Sequence, residues 1–90
     1  MPYSVFQTGD QGYFLTLDLG SERISFPYAA LAKAIFSEGD RIALEFPENR
    51  IDIVGAGLEE LFGLLTRGKV DTIRRASGPD KSVREISVSE

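Results

Sequence analysis

The 90-residue sequence predicts an α+β domain: a mainly antiparallel sheet in the order β-β-β-α-β-β-α-β, with two helices packed on one face. Three observations carry that expectation. Several short stretches alternate apolar and polar residues and are separated by turn residues. Two stretches place apolar residues at helical spacing, each followed by a glycine. The length suits one domain, because a chain of this mass buries roughly 64% of its unfolded surface.

The elements follow in order. Residues 3–7, "YSVFQ", alternate weakly, and "TGDQG" at 8–12 reads as a hairpin turn. The clearest strand comes next, with Tyr13, Leu15, Leu17 and Leu19 on one face and Phe14, Thr16 and Asp18 on the other. A Gly20-Ser21 turn leads into "ERISF", with Ile24 and Phe26 sharing a face. Pro27 suits a first helical position. From there Tyr28, Leu31, Ala32, Ile35 and Phe36 form an apolar stripe at helical spacing, and Gly39 is the expected stop.

Period two returns in "RIALEF", with Ile42, Leu44 and Phe46 inward, and "PENR" is a turn. "IDIV" completes a hairpin through Ile51 and Ile53. A second helix is expected over 58–67, striped by Leu58, Leu61, Phe62 and Leu65 and ended by Gly68. "KVDTIRR" supplies a last strand. Residues 1–75 thus read as the domain. Residues 76–90, rich in Ser, Gly, Pro and charge near their start, read as a linker and tail able to add an edge strand.

Composition narrows the chemistry. With no cysteine and no histidine, disulfides, thiolate or imidazole metal sites, and His-dependent nucleophilic triads are excluded. Carboxylates occur near turns at Asp10, Asp18 with Glu22, Glu38 with Asp40, and Asp52, but without calcium-loop spacing. No enzyme, metal or cofactor is expected. No apolar run approaches the roughly 20 residues of a membrane helix, and the first residues lack signal-peptide order, so a cytoplasmic location is the default expectation.

Gly55-Ala56-Gly57 between a strand and a helix invites comparison with a dinucleotide-binding turn. That fingerprint needs a third glycine where Glu60 stands. Glu59 and Glu60 would also face the phosphate; at an effective dielectric of about 20, each would cost roughly 3 kcal/mol at about 5 Å. The expectation is a plain strand-to-helix turn, with Gly57 as N-cap and no bound nucleotide.

Charge is uneven. Residues 1–66 hold four basic and ten acidic side chains, a net −6, whereas residues 67–90 hold six basic and four acidic, a net +2. Arg67, Lys69, Arg74 and Arg75, joined by Lys81 and Arg84, form the candidate contact for a polyanion, although no aromatic follows Phe62 to stack on bases. "RRAS" gives Ser77 a weak resemblance to a basophilic kinase site. Leu64 widens the apolar face of the second helix beside Gly63, and Ile86 and Val88 could join a sheet edge.

Those four residues are the candidate interface. The functional expectation is a non-catalytic domain that associates with itself or with another protein. The alternative is a small oligomeric nucleic-acid-binding protein of the Sm-like barrel type, using the C-terminal basic residues. The acidic body argues against that alternative.

Overall fold

Alternation of apolar and polar residues decides most of the strands. The computed structural model describes residues 6–8, 13–77 and 81–90, and within them the chain forms a small, compact domain of mostly antiparallel sheet with one α-helix. The strands are β1 (Phe6–Thr8), β2 (Phe14–Asp18), β3 (Arg23–Pro27), β4 (Lys33–Ser37) and β5 (Arg41–Glu45). They continue with β6 (Arg50–Ala56), β7 (Val70–Arg74), β8 (Ala76–Ser77) and β9 (Ser82–Ser89); helix α1 (Glu59–Leu65) lies between β6 and β7. The expected strand over 3–7 is described only from Phe6 onward. The "TGDQG" turn lies outside the described residues apart from Thr8, which ends β1.

The strands form two sheets rather than the single one expected. One runs β1-β7-β2-β3, the other β4-β5-β6-β9-β8, and only β2 and β7 pair in parallel. Their inner faces share one core. Leu15 and Leu17 meet Ile42, Leu44, Ile51 and Ile53, and α1 closes it with Leu58, Leu61 and Leu65. The Phe26 and Phe46 rings stack at 4.9 Å between the sheets. Tyr13, expected beside Leu15, stays 86% exposed.

The first predicted helix does not form. Tyr28–Ala30 makes a single 3-10 turn, and Lys33–Ser37 continues as β4. The same segment also fits period two: Phe36 of the stripe faces the core with Ala34, which lies outside the stripe, whereas Ile35 is not among the residues packed on it. A neighbouring strand then decides the outcome. All five residues of β4 pair with β5, from Lys33 opposite Glu45 to Ser37 opposite Arg41, whereas an isolated helix of about ten residues is marginal in water. Gly39 does take positive φ, +83°, but in the hairpin turn and not at a helix end.

The Pro27–Ala32 corner carries the chain from one sheet to the other. The Tyr28 amide donates to the Tyr13 carbonyl at 2.9 Å, the Ala32 amide donates to Glu45 O at 2.8 Å, and the Tyr28 hydroxyl donates to Val70 O at 2.7 Å.

Two bulges set the phase of the last strands. In β7, Thr8 faces Val70 and Gln7 faces Thr72, leaving Asp71 as the extra residue, so Val70 and Ile73 are both buried despite odd spacing. In β9, Gly55 faces Val83 and Val54 faces Glu85, leaving Arg84 extra. Val83 is buried, and Ile86 and Val88, opposite Ile53 and Ile51, pack on the core. Arg84 would share a face with Ile86 and Val88 in an unbroken strand, and the bulge puts it out of phase with them. The segment read as a tail or added edge strand enters the second sheet, where β9 lies inside the strand order and β8 is the edge.

Candidate functional site

The glycine turn resolves first. Gly55 lies within β6, where an added Cβ would collide with the Ser82 carbonyl oxygen. It is glycine because β9 approaches so closely at the bulge. Gly57, at φ +66°, makes the turn. It is not the N-cap: Leu58 holds that position, and its amide donates to Asp40 Oδ1 at 3.2 Å from the β4–β5 hairpin. The Asp40 carbonyl also accepts from the Gly55 amide at 3.1 Å. Asp40 thus serves this turn through both its side chain and its carbonyl. The helix ends as the sequence suggests: Gly68 at φ +68° donates to Leu65 O and Lys69 to Leu64 O, a Schellman-type pair.

The candidate interface divides between two elements. Leu64 is half-buried and packs against the core, so its apolar surface is partly covered by its own chain. Gly63 beside it leaves open space for a Cβ, with Arg67 Nη2 the nearest atom at 3.8 Å, and its carbonyl accepts from Arg67 Nε at 3.1 Å. Ile86 and Val88 belong to β9. On one side that strand pairs with β6 from Ser82 to Ser89; on the other, β8 covers only Ser82 and Val83. Among the described residues, no strand pairs with the outer edge of β9 beyond Val83. Alternate backbone groups there face outward without a ladder partner.

The six basic candidates do not form one surface. Arg67 and Lys69 precede β7, whereas Arg74 ends it, a separation of roughly 15 Å along an extended chain. Lys81 donates to Glu60 Oε1 at 2.7 Å. Arg74, Arg75 and Arg84 do come together, around an open groove of about 610 Å³ where β7 hands over to β8 beside the β9 bulge. Asp18, Leu19, Ala76, Ser77 and Val83 help to line it. Ser77, the kinase-site candidate, is exposed at this rim.

Asp18 lies beside Arg74 in the parallel register, but its ion pair is with Arg23 at 3.7 Å, and it accepts the Gly20 amide at 3.0 Å. Among the described residues, no carboxylate lies within ion-pair distance of the three groove arginines. Arg74 Nε is buried and has no hydrogen-bond acceptor. The sequence named all three arginines. Their convergence depends on the chain's passage between sheets and on the Arg84 bulge.

Among the described residues, no three His, Cys, Asp or Glu side chains group as metal ligands do, and no helix is long and apolar enough to cross a membrane. Asp10 and Asp80 lie outside the described residues. Burial pushes the Tyr28 phenol up from its ordinary 10.0 to about 12, and Asp71 acts in the same direction. Comparison with protein-family models, with curated proteins and with solved structures finds no match to this chain.

Proposed function

We propose that this chain is a non-catalytic, self-associating domain whose interface is the outer edge of β9. The observation that supports it is the open edge itself. Among the described residues, a strand of eight residues is covered on its outer side over only two, and small sheets with such edges pair readily with another strand.

The sequence of that edge favours a second copy of the chain as the occupant. "REISVSE", Arg84 to Glu90, is self-complementary about Ser87. In an antiparallel pair on a two-fold axis there, Ile86 faces Val88 and each contact occurs twice; the bulge turns the exposed Arg84 off that face, and its long side chain lies within reach of the partner's exposed Glu90 just past the strand end. Apolar side chains meet on the core face, and opposite charges meet at both ends.

Charge reversal tests this register. Light scattering over a roughly hundredfold concentration range should show a dimer forming. Arg84→Glu and Glu90→Arg should each weaken it by about tenfold, since two attractive pairs become repulsive, and the double variant should restore it. A wild-type chain monomeric throughout contradicts the reading, as does association that neither reversal alters.

A further inference from the structure

We infer that the groove between Arg74, Arg75 and Arg84 is a binding site for the phosphate monoester of a small molecule. Four observations converge on it. Three guanidinium groups from two strands and the link between sheets line a groove of about 610 Å³, a volume within the ordinary range of small-ligand sites. None of the three has a carboxylate partner among the described residues, so their donors remain available. Arg74 Nε is buried without an acceptor, an arrangement that costs free energy until an acceptor reaches it. The charge is also unbalanced: three cations face one carboxylate, Asp18, which Arg23 already engages.

Charge and shape select the ligand class. A phosphate monoester carries about −1.5 to −2 charges near neutral pH and offers three strong acceptor oxygens, whereas a carboxylate brings one charge. Guanidinium forks match phosphate oxygens two at a time. Leu19, Ala76 and Val83 give the lining apolar character for the organic part of the ester, and the Ser77 hydroxyl adds a donor. A polynucleotide fits less well. It needs cations along a track, but Arg67 and Lys69 stand at the far end of β7 and Lys81 is held by Glu60. Arg84 can serve both this groove and the β9 edge, because a guanidinium has five N–H donors.

The test uses the full chain at low salt, with glycerol 3-phosphate and O-phosphoserine as separate probes and acetate as the monoanion control. The reporter is the Arg74 Nε–H signal in a nitrogen-edited NMR spectrum. A saturable shift of that signal with either phosphate ester, and little with acetate, is expected. A response to only one of the two distinguishes a polyol phosphate from a phosphorylated amino acid as the preferred source. Arg75→Gln, an exposed substitution away from the β9 edge, should weaken binding by about tenfold or more. Three results would overturn the site: no saturable shift with either ester, undiminished binding by the Arg75→Gln variant, or binding of a single-stranded oligonucleotide alone.

Discussion

Residues 27–38 and 58–67 begin as near equals. Each carries a stripe of apolar residues at helical spacing, and each is followed by a glycine with positive φ. One becomes a helix; the other becomes a corner and a strand. The difference lies in what waits at their ends. The second segment has an N-terminal acceptor from Asp40, acids in its first turn and a Schellman-type close at Gly68. Neither N-cap residue, Pro27 or Leu58, caps with its own side chain, but at the first segment the short Glu38–Asp40 turn brings β5 directly alongside. A ready strand partner outcompetes a short helix. The two segments then pack on each other, the Phe36 and Phe62 rings lying 5.5 Å apart.

Substitutions at three positions separate what the sheet decides from what the helix ends decide. The largest effect is expected of Gly55→Ala, whose Cβ would strike the Ser82 carbonyl and force β9 from β6. Because backbone must move, a loss of about 4 kcal/mol or more is expected, read by urea unfolding. A loss below about 1 kcal/mol would show that β9 is not needed to hold the sheet that shelters β4.

Asp40→Ala acts on the helix end. It removes the acceptor of the Leu58 amide and places alanine at φ +55°. A cost of about 1–2 kcal/mol is expected, most of it recovered by Asp40→Asn, which keeps an acceptor and tolerates that conformation. Equal losses in both variants would assign the effect to something other than the cap.

Tyr28→Phe is the smallest change and probes the corner. It removes the hydroxyl donated to Val70 O, at a cost of about 1 kcal/mol near neutral pH. The pH dependence is sharper. Tyr28 is raised from 10.0 to about 12 in the folded chain, so its neutral form is favoured by folding. That contribution is full below pH 10 and is lost as pH rises toward 12. Wild type should therefore lose stability over this window faster than Tyr28→Phe; parallel losses would mean the phenol is not held neutral by the fold.

The same contrast explains how much was legible in the sequence. Where one pattern had one solution, as in Leu15 and Leu17 or Ile42 and Leu44, the strand and its buried face were both evident. Helix α1 was evident from its stripe and Gly68. The division into two sheets was not, because it depends on the corner at Pro27–Ala32 and the hand-over at Arg75. The phase of β7 and β9 was hidden too, since a bulge at Asp71 or Arg84 shifts alternation by one residue without a local signature. Gly55 was the nearest clue: a glycine inside a strand often marks close backbone approach. For the candidate site, Arg74, Arg75, Ile86 and Val88 could be named from sequence. Their grouping into a groove and an open edge follows only from the pairing of β8 and β9.

The most direct test of self-association is amide hydrogen exchange along β9, measured by NMR at two protein concentrations about a hundredfold apart. The amides of residues 84–89 that face away from β6 should exchange fast when dilute and become protected when concentrated, while those paired with β6 stay protected in both. Outward amides that exchange equally fast at both concentrations would contradict the interface proposed for this edge.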